Sequence, residues 1–393
     1  MIVQGVCAPK FQELKQIFQD YFDCGKEIGA NFSVVKNADV LVNIYGGLKN
    51  KNQLWGENTI VNTFSLSKGI YASCISQLIE LGEIDVDQNV SFYWPEFKQN
   101  KEHIKVKHIL SHQSGLYRFK EKLINKDLLD FEKIIKILEN QEPDHAPGVK
   151  TYYHAKTHGY LVENLIRKIT KLSLKKFFKK YISKKYNLNF NFDFEKKDFD
   201  NVSDLIESYK KNRNEITEFT AFNNPEYEIN FYNSKSWRSA GVASMGGHGS
   251  ALSIAKLYDL LANDLKEDNK NIISKKKFND ILKQSNFTID ESLKLPIKWT
   301  YSGFILRGGW MFGKNKESFG HNGWGGSLGF GDPIEGIGIA YVTRKINEGM
   351  GVDLRAVDLI KKTYKILNSW GGGESGIRTR ERVTPLHAFQ ACA

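Results

Sequence analysis

A chain of 393 residues can bury a full core and divide into two lobes around one cleft, and 41% hydrophobic with 12% aromatic residues excludes a disordered chain. The net charge is +11, yet 46 of the 56 basic residues are Lys, and they are interleaved with acids on helical stretches that include Lys175, Lys176, Lys179 and Lys180. So few Arg argue against phosphate recognition, and no run of about 18 apolar residues occurs, so neither a nucleic-acid nor a membrane partner is expected.

In chain order, Phe11 to Phe22 reads as an amphipathic helix. Phe32–Val35 and Asp39–Ile44 follow as β-branched runs separated by the turn-like Asn37-Ala38, which predicts an antiparallel hairpin. From Ser65 the period becomes helical, through Ile70, Ile75, Leu78 and Leu81, until Gly82 supplies a stop. The middle, from about 85 to 290, reads as mainly helical, with helices at 103–111, 130–138, 160–169 and 251–262. Short strands are expected at 303–307, 309–312, 326–330 and 337–343, then a closing helix near 354–367. Strands at both ends with helices between predict an α/β (α+β) chain: an antiparallel sheet part, about 11–84 plus 291–370, interrupted by a helical part at 85–290. Residues 371–393 hold three of the ten Arg and none of the Lys, and are read as a tail foreign to the fold.

Cys7, Cys24, Cys74 and Cys392 form no C-x-x-C pair, and are expected to be reduced, buried small side chains. With no export signal read at the N-terminus, a soluble cytoplasmic protein is expected. His103, His108 and His112 invite a metal reading, but only the last two share a helix face and no zincin glutamate lies between them, so no metal and no cofactor are expected.

Ser65-Leu66-Ser67-Lys68 places a hydroxyl and an amine on one helix face. Ser followed by Lys three residues later occurs six times, at Ser33, Ser65, Ser173, Ser208, Ser253 and Ser274. Ser33 lies in a strand, where residues three apart point to opposite faces, and Ser173, Ser208 and Ser274 sit among solvated lysines. Ser253 is read as helping to cap its helix. Ser65 alone lies between an apolar segment and an apolar helix, where the helix N-terminus favours negative charge and burial lowers a lysine pKa. Gly325-Gly326-Ser327-Leu328-Gly329 fits a nucleophile-elbow pattern, but a β-like run rather than a helix follows it, so Ser327 is set aside.

Val61 to Gly69 resembles the nucleophile segment of the β-lactamase/penicillin-binding-protein superfamily, in particular class C β-lactamases, DD-peptidases and their esterase relatives. The resemblance continues through 81–87, 93–97 and 108–116 and covers roughly residues 30 to 345. It implies a β-lactamase/transpeptidase-like fold and a serine hydrolase with Ser65 as nucleophile. Tyr153 takes the tyrosine position of the Tyr-x-Asn motif, with Ala155 in place of Asn. His321-Asn322-Gly323 stands where the family carries Lys-Thr-Gly. Lys68 and Tyr153 are then the general base, either one open, with the Lys68 ammonium expected to lower the tyrosine pKa and Tyr152 or His154 as alternatives. His321, Gly323 and Trp324 would face substrate, His321 donating one hydrogen bond, and the amides of Ser65 and Trp324 would bind the oxyanion. Ala155 and His321 remove two contacts that β-lactams use, so a small-molecule ester is the expected partner, with a β-lactamase or DD-peptidase-like amide hydrolase, or a silent scaffold, as alternatives. The oligomeric state is not legible.

Overall fold

The computed structural model describes residues 2–98, 100–194, 196–208, 218–263, 272–347 and 353–368; the tail read at 371–393 and Cys392 lie outside them. Nine strands form one sheet. They are β1 (Gln4–Cys7), β2 (Gly29–Lys36), β3 (Asp39–Gly47), β4 (Ser285–Asp290), β5 (Leu295–Thr300), β6 (Ile305–Leu306), β7 (Phe319–Asn322), β8 (Leu328–Asp332) and β9 (Ile337–Thr343). The order is β1-β3-β2-β9-β8-β7-β6-β5-β4, antiparallel throughout. Chain ends meet at the centre, where β2 pairs with β9 and Phe32 lies opposite Tyr341.

Alternation along the strands assigns the two faces. Phe32, Val34, Ile339 and Tyr341 pack with Phe18 of α1 (Gln12–Asp23) and Leu359 of the C-terminal helix (Leu354–Asn368). On the opposite face, Ala340 and Val342 pack with Ile254 and Tyr258 of the helix Ala251–Ala262. That helix lies so close that a Cβ on Gly338 would stand 2.0 Å from the Ala255 carbonyl oxygen. The same helix fixes the β2–β3 turn: the Asp259 carboxylate accepts hydrogen bonds from Asn37 N (2.9 Å) and Ala38 N (2.8 Å). Both turn residues have positive φ, as a two-residue hairpin with strand-matched twist requires.

The helix Leu66–Glu80, here α2, is buried over Leu66 to Ser76 and again at Leu78. Its small residues Gly69, Ala72 and Ser73 let it run through the interior rather than along the surface. It ends where Gly82, at φ 72°, donates to Ile79 O and Glu83 N donates to Leu78 O, a Schellman closure. The mixed fold, a mainly antiparallel sheet flanked by helices, is the one the sequence predicts.

Four readings of local structure change. Residues 309–312 form turns rather than a strand, because Gly309 N bonds Gly313 O and Phe312 N bonds Arg307 O, satisfying the backbone locally. Ser285–Asp290, read inside the helical middle, is an edge strand whose outward Phe287 and Ile289 are solvent-exposed. Ser250, not Ser253, caps its helix, and Ser253 Oγ instead accepts from Asn189 N. Of the described cysteines only Cys74 is buried; Cys24 is exposed and Cys7 half-buried, and all three are unpaired. No helix among the described residues is long and apolar enough to cross a membrane.

Candidate active site

The short strand Ile60–Asn62 delivers the chain to Phe64, whose φ of 46° is unusual for a bulky residue. Asn62 Oδ1 accepts from Phe64 N (2.9 Å), and the Phe64 ring packs on Tyr232 and Trp324, which holds the strained turn in place. Ser65 follows, partly exposed, at the N-cap of α2. Its hydroxyl makes no capping hydrogen bond, which leaves it free for another task.

Lys68 is fully buried. Its Nζ lies 3.0 Å from Ser65 Oγ, 2.9 Å from Ala155 O and 3.1 Å from Ser244 O. Burial, reinforced by the nearby charge of Lys156, holds its pKa well below the usual lysine range. A neutral amine has two N–H donors and one lone pair. In that neutral form the two carbonyls, which can only accept, take both donors and leave the lone pair for the Ser65 hydroxyl.

Tyr153 is also buried, stacks on Trp299 at 5.8 Å and has its phenol beside Ser65. Its ring centroid lies 5.0 Å from Lys68 Nζ. Burial pushes the phenol upward, outweighing the lowering influence of Ser65, with Asp290 adding in the same direction. The sequence reading has the Lys68 ammonium lowering this pKa; since burial disfavours charge on both groups, the phenol is held protonated instead. The alternatives are engaged elsewhere: His154 donates from Nδ1 to Tyr152 O and pairs through Nε2 with Ser114 Oγ, and the Tyr152 ring stacks on Tyr117.

β7 brings His321 against α2, where a Cβ on Gly69 would stand 2.8 Å from His321 Cβ. His321 Nδ1 donates to Asn322 O (2.7 Å), so its buried, unpartnered Nε2 offers a lone pair. The expected hydrogen-bond donor is therefore an acceptor. Burial, with Lys68 next, lowers its pKa to about 3, which keeps it neutral. Gly323 passes so near the nucleophile segment that a Cβ there would stand 2.0 Å from Thr63 O. Among the described residues, the amides of Ser65 and Trp324 donate to no protein acceptor. The structure thus brings Ser65, Lys68, Tyr153, His321, Gly323 and Trp324 together.

Ser327 does not join them: its Oγ accepts from Thr343 N at 3.3 Å, and a strand follows it. Of the three histidines weighed for metal, His103 is exposed, His108 accepts from Lys105 N, and His112 is buried against Tyr153 at 4.9 Å between ring centroids. Sequence reasoning weighed His112 only for metal and passed over Asp290; the glycine-bearing loop Ser244–Gly247 also lines the site. That loop seats Lys68 through Ser244 O, accepts from Thr63 N through Gly247 O, and donates from Gly247 N to Ser67 Oγ. Its run of glycines was the one available signal.

A family model described as Beta-lactamase matches residues 14–361. The chain is 23% identical over 364 residues to the Esterase/beta-lactamase LipL of Mycobacterium tuberculosis, covering 88% of this chain and 83% of that protein. It is similar to the crystal structure of a family VIII carboxylesterase, with a TM-score of 0.86, 30% identity, and coverage of 93% of this chain and 100% of that one. A penicillin-binding protein homolog from Caulobacter crescentus gives a TM-score of 0.85 at 28% identity, with coverage of 93% and 100%. With a matched model spanning most of its length and a serine-lysine-tyrosine cluster at the head of a buried helix, the chain belongs to the beta-lactamase family of serine hydrolases.

Proposed function

We propose that this protein hydrolyses carboxylic esters through an acyl-enzyme on Ser65. The observation that carries the reading is the seating of Lys68, whose two fixed carbonyl partners leave its lone pair for the Ser65 proton. Ser65 Oγ attacks the ester carbonyl as its proton passes to Lys68 Nζ. The oxygen that becomes negative is received by the amides of Ser65 and Trp324, at the positive end of α2. As the tetrahedral intermediate collapses, the alcohol leaves with the proton, passed back through Lys68 and the Tyr153 phenol. Water then attacks the acyl-enzyme, giving up a proton to the same pair, and Ser65 leaves re-protonated as the carboxylic acid is released. The two groups act as one coupled unit.

Esters are favoured over β-lactams because the site lacks the side chains that would read a β-lactam's polar groups. Ala155 contributes a methyl group and its main-chain oxygen, already bound to Lys68, and His321 is neutral and offers an acceptor. A substrate carboxylate would meet no fixed cation at that position. One similar structure is that of a family VIII carboxylesterase, in line with this choice. The unpaired Cys7, Cys24 and Cys74 support a reducing setting such as the cytoplasm.

The test is a comparison of kcat/KM for p-nitrophenyl acetate, butyrate and octanoate with that for a chromogenic cephalosporin. Ester turnover exceeding cephalosporin turnover by about a hundredfold or more is expected, since the two missing contacts are worth about 1–3 kcal/mol each, about 2–6 kcal/mol together. Comparable rates on both would replace the ester reading with that of a β-lactamase.

A further inference from the structure

Residues 151–154 carry Tyr153 but belong to no helix or strand. In a buried segment of that kind every N–H needs a partner from elsewhere. Two residues supply three consecutive ones. His112 O accepts from Tyr152 N at 3.1 Å, Asp290 Oδ1 accepts from Tyr153 N at 3.2 Å, and His112 Nδ1 accepts from His154 N at 3.0 Å.

His112 is built for the task. It is fully buried, with a φ of 61°, and that left-handed turn lets both its carbonyl and its ring face the same strand-like segment. Because Nδ1 accepts a backbone N–H, the ring must be neutral with its proton on Nε2. Burial and the neighbouring His158, His154, Lys68 and His321 all disfavour its cationic form. The ring also lies edge-on to Trp299 at 4.1 Å, the indole on which Tyr153 stacks, so one side chain braces both the backbone and the ring support of the tyrosine. Asp290 is fully buried at the β4 end. Its Oδ1 also accepts from Ser292 N (2.9 Å) and Leu293 N (3.0 Å), which anchors the clamp to the sheet.

We propose that His112 and Asp290 are positioning residues that hold the Tyr153 phenol in register with Ser65 by clamping the main chain on both sides of it. This rests on the serine-hydrolase reading above and deepens it. Neither residue touches substrate; each acts through Tyr153.

Full-length His112→Leu, His112→Asn, Tyr153→Phe and the Tyr153→Phe/His112→Leu double variant are compared for kcat and KM on p-nitrophenyl butyrate, with a thermal melt of each. His112→Leu is expected to lower kcat about a hundredfold with KM within about threefold, the cost of misplacing a catalytic group by about 1 Å. His112→Asn, which keeps an acceptor where Nδ1 stands and tolerates positive φ, is expected to recover kcat to within about tenfold of wild type. In the Tyr153→Phe background, His112→Leu is expected to cost less than about threefold more. Multiplying losses in the double variant, no recovery with Asn, or kcat within about threefold of wild type for Leu would each overturn the proposal. Should His112→Leu lack a cooperative melt, Asp290→Ala and Asp290→Asn take its place, since Asn keeps Oδ1, with the same expectations. Failure of the underlying reading is separate: a wild-type protein with no ester turnover, or turnover that survives Ser65→Ala.

Discussion

Substituting Gly323 by Ala adds one methyl group at the closest approach between the β7 end and the nucleophile segment. Gly323 has an extended backbone, φ −110° and ψ 159°, which any residue adopts, so conformational strain plays no part. The new Cβ would stand 2.0 Å from Thr63 O, and methyl carbons essentially never come nearer than 3.0 Å to another heavy atom, so the two segments must part by at least about 1 Å. Thr63 O cannot yield alone, because it accepts from Leu66 N at the first turn of α2. The separation therefore moves the amide of Trp324 away from that of Ser65, the pair assigned to the oxyanion. A misplacement of about 1 Å costs about a hundredfold in rate, or about 2.7 kcal/mol of transition-state stabilisation. Steady-state kinetics on p-nitrophenyl butyrate, with a thermal melt as control, should show that loss mainly in kcat. A folded Gly323→Ala protein with kcat within about threefold of wild type would refute the geometry assigned to the oxyanion donors.

Burial holds the Lys68 pKa well below its value in the unfolded chain, so the unfolded state binds the proton more tightly and the buried amine costs stability. Lys68→Met should abolish turnover yet raise the melting temperature by a few degrees, at about 2–4 °C per kcal/mol; a lower melting temperature would contradict the assigned charge state. The same reasoning gives an acid transition. Burial is the first cause lowering His154, His248 and His321 to about 3 and His108 to about 4, and it also holds His112 and His158 well below the usual histidine range. These depressed groups contribute stability that is complete above the free histidine value and lost as pH falls through the window from about 6.5 downward. Denaturant melts at stepped pH should lose on the order of 1 kcal/mol per pH unit for each titrating histidine, and a flat profile from pH 6.5 to 4.5 would rule out neutral burial.

The hairpin at Asn37-Ala38, the helix from Ser65 to its stop at Gly82, and the closing helix were legible because period and punctuation agree there. Ser65 and Lys68 were found among six equal spacings by their apolar flanks, which report burial. What escaped the sequence was long-range in origin. Asp290 sits 137 residues from the amide it accepts, and His112 lies 42 residues from His154, so no local pattern connects them. The His321 tautomer is set by a carbonyl, Asn322 O, that a motif match does not describe. The edge strand Ser285–Asp290 was lost because its apolar Phe287 and Ile289 point outward while its inward positions, Asn286, Thr288 and Asp290, are polar, the reverse of the usual alternation.

The central claim is that Ser65 forms the covalent intermediate. Intact-mass spectrometry after fluorophosphonate treatment tests it on wild type, Ser65→Ala and Ser327→Ala, with p-nitrophenyl butyrate turnover recorded alongside. One adduct per chain that disappears with turnover in Ser65→Ala, and persists in Ser327→Ala, is the predicted result. An adduct that survives Ser65→Ala, or wild type that takes no label and turns over no ester, would contradict the account.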